Sequence, residues 1–265
     1  MTLRAGLAAL AAGVVMTLAP GPQARAATYD LSSVVNFNSS TGTLPTYSGG
    51  TLTLVNGEYF GAYSAFTNAI AASDIGSFTA NFTFELDNVG STPQADGLAF
   101  VVQDVGTNFL GGYGGNLGLA GAGGDSAAVV FQSWVNDHAS IVTDGNPYGG
   151  TQAVGNFALG YNSQNTVSAD VTFNGSVLSV SAVNETTGAT YNDSLALDVA
   201  GLRASVGNVY FGFTSGTGSS TSLTQVDSFS LNVSPVPLPP GLLMFGSALA
   251  ALGLFGLRRG RREAV

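Results

Sequence analysis

Apolar and polar residues alternate along much of this chain with a period of two. Phe78, Ala80, Phe82, Phe84 and Leu86 alternate with Thr79, Asn81, Thr83 and Glu85, which predicts a strand with one buried and one wetted face. The pattern returns at Val167, Ala169, Val171 and Phe173, and Asn174-Gly175 then reads as a tight hairpin turn into a strand over Val177 to Ala182. Val209, Phe211 and Phe213, followed by Val226 to Leu231, predict a further pair. No segment carries the 3.6-residue period of an amphipathic helix, and no internal repeat is visible. Many short strands between glycine-rich turns predict one all-β domain, a sandwich closed by long loops.

Two runs break the alternation. Leu98 to Val102 and Ala127 to Phe131 are continuously apolar, as expected of strands buried on both faces. The first follows Asp96-Gly97, which holds a carboxylate at the mouth of a buried strand. The second ends in Gln132, Ser133, Asn136, Asp137 and His138 around the single tryptophan, Trp134.

The two ends of the chain read differently from its middle. Met1 to Ala26 combines Arg4, an apolar run from Ala5 to Leu18 and the small-residue ending Ala24-Arg25-Ala26, the layout of a secretory signal peptide cleaved before Ala27. The domain is expected over residues 27–233. Residues 234–240 form a proline-rich, stiff spacer, and Gly241 to Leu257 is an apolar run closed by Arg258, Arg259, Arg261 and Arg262. As a helix that run spans roughly 25 Å, near the hydrocarbon thickness of a bilayer, and the arginines would stay on the cytoplasmic side.

Composition narrows the function. There is no cysteine, so the exported part takes its stability from a large core rather than disulfides. Between Ala27 and Pro240 fifteen acidic residues face one basic residue, Arg203. A field of that sign argues against nucleic acid and anionic membrane surfaces as partners, and favours neutral or cationic ones.

Ala95-Asp96-Gly97-Leu98-Ala99-Phe100, Gly114-Gly115-Asn116-Leu117-Gly118-Leu119 and Val129-Val130-Phe131-Gln132-Ser133 stand in the order of the ADG-x-x-F, GG-x-LGL and V-E-F-D-T blocks of the legume-type (L-type) lectins. A fourth stretch, Val209 to Leu231, is similar to that family's closing strand pair around a glycine-rich turn. The resemblance implies a concanavalin-like jelly-roll sandwich of antiparallel strands. It also implies sugar binding through Asp96, the backbone of Gly115, Asn136 and the turn carrying Gly218, with Tyr113 or Trp134 as an apolar platform. Carboxylate, backbone donor and amide suit a neutral polyol, whose hydroxyls both donate and accept. Asp96 has an equally simple reading as a turn residue that satisfies nearby backbone amides.

The departures concern metal. Where the family carries two acids that bridge a transition-metal and a calcium site, this chain has Val130 and Gln132. A site without them loses much of its attraction for hard divalent cations. The family's transition-metal site is expected to be lost, while calcium on Asn136 and Asp137 stays an open expectation. His138 could match the metal histidine but reads better as part of a polar turn that caps a strand end. Since the family's ions hold the Ala-Asp peptide cis, the bond between Ala95 and Asp96 is open to either geometry.

The spacer, apolar run and arginine cluster are similar to the PEP-CTERM sorting signal of exopolysaccharide-producing Gram-negative bacteria, with Val236-Pro237-Leu238-Pro239 in place of the namesake motif. This resemblance implies anchoring in the inner membrane through residues 241–257, processing by an exosortase-type enzyme, and release to the cell surface or matrix; permanent anchoring is the alternative. Catalysis is not expected. Glu85 and Asp87 lie on one strand face, but no third acid follows in the spacing of the sandwich glycosidases. Two functions stand: an exported binder of exopolysaccharide or another neutral glycan, or a structural matrix protein whose lectin-like fold no longer holds sugar.

Overall fold

The computed structural model describes residues 26–89, 93–134, 137–149, 157–159, 164–197 and 207–235. Asn136, the signal peptide up to Arg25 and the apolar run 241–257 lie outside the described residues.

The described strands are β1 (Ala27–Asp30), β2 (Val34–Ser39), β3 (Thr46–Ser48), β4 (Thr51–Asn56), β5 (Ala62–Thr67), β6 (Ile70–Ala71), β7 (Ser77–Asn88), β8 (Gly97–Gln103), β9 (Ser126–Gln132), β10 (His138–Thr143), β11 (Asn165–Phe173), β12 (Val177–Asn184), β13 (Thr190–Ala196), β14 (Asn208–Gly216) and β15 (Ser222–Ser234). They form two antiparallel sheets, with three short 3₁₀ turns as the described helical structure. One sheet runs β13-β12-β11-β7-β15-β4-β3, with β1 also on β15. The other runs β10-β9-β8-β14-β5-β2, with β6 on β14. The two sheets pack face to face as a jelly-roll sandwich.

The period-two residues do what their pattern demands. Phe78, Phe82 and Phe84 of β7, Phe173 of β11, and Phe100, Phe131, Phe211 and Phe213 of the opposite sheet are buried in one cluster between the layers. Phe82 meets Phe100, stacked at 5.4 Å, and Phe213, edge-on at 5.3 Å, the geometries aromatic pairs favour. The hairpin between β11 and β12 turns at Asn174, whose side chain accepts from the N–H groups of Ser176 and Val177. Glu85 and Asp87 fall on the outward face of β7, in the sheet opposite the one that holds β8 and β9. Glu85 accepts there from Thr166 and Gln164.

A second, smaller apolar cluster sits on the outer face of the other sheet and explains the two continuous runs. Ala99 and Val101 of β8, Ala128 and Val130 of β9 and Val142 of β10 are covered by Phe109, Leu117 and Leu119 from the long connection between β8 and β9. Strands β8 and β9 are therefore buried on both sides along their whole length. Leu117 also caps the glycine-rich turn Gly114–Asn116 that precedes it, and its burial in this cluster fixes that turn beside the ends of these strands.

Candidate functional site

Asp96 stands at the entrance to β8 with its main chain held from both sides. Its N–H donates to the Gly216 carbonyl at 2.9 Å, and its carbonyl accepts from the Ser133 N–H at 2.9 Å. The flanking carbonyls of Ala95 and Gly97 accept from the hydroxyls of Ser222 and Ser215, at 3.0 and 2.7 Å. The Ala95–Asp96 peptide is cis. Gly97, at φ 140°, lies so close to β9 that a Cβ there would be 2.1 Å from the Phe131 carbonyl oxygen. Only glycine fits, and the carboxylate of Asp96 is thereby fixed beside the end of β9.

Two loops converge on that carboxylate. The turn Gly114–Asn116 is closed by Leu117 in the left-handed region at φ 53°, and the Gly114 N–H donates to the Thr217 carbonyl at 3.0 Å. From the loop after β14, Gly218 approaches the same oxygen: a Cβ placed on Gly218 or Gly114 would lie 3.5 or 3.8 Å from Asp96 Oδ2. Both glycines thus border the carboxylate. Together Asp96, Gly114, Gly115 and Gly218 line a cleft of about 400 Å³, walled by Gln132, Trp134 and Tyr148, a size suited to a small polar ligand.

The electrostatics of the cleft are those of a prepared acceptor. Asp96 is only 4% exposed, and its Oδ2 has no hydrogen-bond partner among the described residues. Burial pushes its pKa from the ordinary 3.8 up to about 6. An unpartnered buried carboxylate is costly, and a hydroxyl-bearing ligand would relieve that cost.

The sequence expectations meet here unevenly. Asp96, Gly115 and Gly218 share one cleft, and Trp134 also lines it. Tyr113 does not; it stands 55% exposed outside the wall. Tyr148 was not foreseen, because it sits at the tip of the Asn146-Pro147-Tyr148-Gly149 turn, where no periodicity marks it. Gln132 also acquires a role. Its amide donates to the Gly115 carbonyl at 3.2 Å, tying β9 to the glycine turn.

The described residues at the family's metal position do not fit a hard divalent cation. Val130 packs in the apolar cluster beneath Leu117 and Leu119, and Gln132 presents an N–H donor toward the turn. Asp137, at φ 43°, accepts from the Leu159 N–H, and burial raises its pKa. His138 pairs across the ladder with Gln132. Fully buried, it is kept neutral by desolvation, with no partner for either ring nitrogen among the described residues. No group of three His, Cys, Asp or Glu side chains gathers among the described residues, where a calcium site wants several anionic oxygens. The melting temperature is therefore expected to be the same in calcium and in chelator. A calcium-dependent rise would show that Asn136 and Asp137 complete a site.

The arrangement has relatives among solved structures. Basic winged bean lectin, determined with Tn-antigen, aligns with a TM-score of 0.65 at 16% identity, covering 80% of this chain and 100% of that one. The Lotus tetragonolobus seed lectin aligns at 0.63 and 18%, covering 80% and 100%. The Bauhinia forficata lectin, solved with GalNAc, aligns at 0.62 and 20%, also covering 80% and 100%. At such identities the likeness shows a shared fold. The family model of the legume lectin domain matches residues 60–240, a span that runs from β5 to β15 and takes in every described loop of the cleft, and the chain belongs to that family.

Proposed function

We propose that this chain is an exported carbohydrate-binding protein that holds a neutral glycan, such as an exopolysaccharide, at the cell surface or in the matrix. The observation that carries the reading is Asp96, a buried carboxylate with an unpartnered oxygen at the floor of an open cleft. A sugar hydroxyl donates to it, the glycine backbones of the neighbouring loops serve further hydroxyls, and Trp134 or Tyr148 meets the apolar face of the ring. Solved relatives were determined with GalNAc and with methyl-α-D-galactose, which supports a neutral ring as the ligand class. The acidic surface disfavours polyanionic glycans. Export rests on the leader before Ala27, and release at the surface on exosortase-type processing of the tail beyond Ser234.

The second reading, a structural matrix protein on a lectin fold, is favoured by one observation: Val130 puts an apolar contact where the family holds metal. A glycan array probed with the full chain separates the two. Gly115→Ala is the control, because the new methyl would sit 2.3 Å from the Tyr148 hydroxyl and 3.0 Å from Gln132 Nε2, inside the cleft. Binding of a neutral glycan that falls at least about tenfold in Gly115→Ala, with little change in melting temperature, supports the cleft; such a loss corresponds to roughly 1.4 kcal/mol. A folded wild type that binds no neutral glycan leaves the structural reading.

A further inference from the structure

Beside the cleft stands a pair of aromatic rings that the fold does not use. Phe60 is 58% exposed, its neighbour Tyr59 47% and Tyr113 55%. The rings of Phe60 and Tyr113 meet edge to face at 6.1 Å and 83°. Phe60 also holds φ at 53°, a left-handed conformation that bulky residues rarely adopt and that costs free energy. The chain thus keeps a large apolar side chain in a strained backbone and turns it toward water, against both conformational preference and the hydrophobic effect.

The position of the pair supplies the reason. The Phe60 N–H donates to the carbonyl of Gly218 at 3.0 Å, and Gly218 lines the cleft. Tyr113 directly precedes Gly114 and Gly115, which line it from the other side. The Thr217 N–H donates to the Gly61 carbonyl at 2.8 Å, the Thr217 hydroxyl accepts from the Gly61 N–H at 3.1 Å, and the Thr221 hydroxyl donates to the Glu58 carbonyl at 2.7 Å. The turn bearing Phe60 is therefore laced to the loop that bears Gly218, and the two rings are carried on segments that adjoin the cleft-lining residues from both sides.

We propose that Phe60 and Tyr113 form a second subsite, on which the next pyranose of a glycan chain stacks while the first is held at Asp96. The C–H face of a pyranose is apolar and weakly positive at its hydrogens, which matches the electron-rich face of an aromatic ring. No charged partner is needed, in keeping with a neutral chain. The ligand class becomes a linear oligosaccharide or polysaccharide rather than a lone sugar. This rests on the cleft being a sugar site.

The test is an array carrying galactose, mannose, glucose and N-acetylglucosamine, each as the monosaccharide and as its linear tetrasaccharide, probed with the full chain. Phe60→Asn suits the left-handed backbone, and Tyr113→Ser removes an exposed ring; both are to be matched to wild type by thermal melting. The wild type is expected to prefer a tetrasaccharide over its own monosaccharide by roughly tenfold, the scale of one well-placed aromatic contact. Each variant is expected to erase that preference while monosaccharide binding stays within about twofold. Equal binding of both lengths by the wild type, a preference that survives in the variants, or a loss of both lengths in equal ratio overturns the subsite and leaves the cleft intact. Asp96→Ala tests the cleft separately and is expected to remove both lengths. A folded wild type that binds neither length overturns cleft and subsite together.

Discussion

Asp96→Asn is expected to lose glycan binding by roughly a hundredfold, as for a charge-assisted hydrogen bond removed from a buried site, and at the same time to make the chain more stable at neutral pH. The two effects share one cause. The pKa of Asp96 is raised by burial to about 6 in the folded protein, against an ordinary value near 3.8 in the unfolded chain. Below the unfolded value the carboxyl is neutral in both states and costs nothing. As pH rises from about 4 through 6 the unfolded chain ionises first, and the folded state bears an increasing penalty, on the order of 2 to 3 kcal/mol at pH 7. Asparagine keeps the shape without the charge, although its buried amide N–H groups offset part of the gain. A net gain of about 1 to 2 kcal/mol, or roughly 3 to 6 °C in melting temperature at pH 7, is expected, vanishing by about pH 4. His138 acts in the opposite sense, since burial lowers its pKa and destabilises the fold as pH falls; it is common to both proteins and cancels in the difference. Thermal melts across that range check the prediction, and a variant that is less stable than wild type at pH 7 refutes it. Glycan binding by the wild type should itself weaken as pH falls through 6, when the acceptor takes up a proton.

Gly97→Ala is expected to be the most destabilising of these substitutions, by at least about 3 kcal/mol in urea unfolding. The new methyl would lie 2.1 Å from the Phe131 carbonyl oxygen and 2.9 Å from the Gln132 Cα, at a backbone φ of 140°. Both obstacles belong to the backbone of β9, which is buried on both faces, so neither moves cheaply. Relief requires β8 and β9 to part at the cleft, and sugar binding is expected to go with it. A loss of stability under about 1 kcal/mol would show that the strand ends are more pliant than their packing implies.

The legible part of this fold is the part governed by alternation. Phe78 to Leu86 and Val167 to Phe173 can be placed on one face of a sheet from sequence because one side is core and the other water. The continuous runs Leu98 to Val102 and Ala127 to Phe131 were legible as doubly buried strands, though what covers them was not, because Phe109, Leu117 and Leu119 reach them from a loop without periodicity. β5, Ala62–Thr67, is buried along its whole length, and its mixture of small, polar and aromatic residues hides it from a pattern search. At the cleft, Asp96, Gly115 and Gly218, which the order of motifs brings forward, line one cavity. Gln132 and Val130 were read as missing acids. The fold gives them other work, one as a tie to Gly115 and the other as packing under Leu117, which only the approach of distant loops decides. Tyr148 and Phe60 lie in turns, where exposure and backbone conformation rather than residue spacing determine position.

Trp134 is the only tryptophan in the chain, and it stands in the wall of the cleft. Excited selectively at the red edge of the protein absorption band, the molecule emits from one place, and that place is where a ligand would exclude water from the indole. The intrinsic fluorescence of this protein is accordingly a record of its cleft, free of any signal from the phenylalanine core, and occupancy can be followed in solution without attaching a dye.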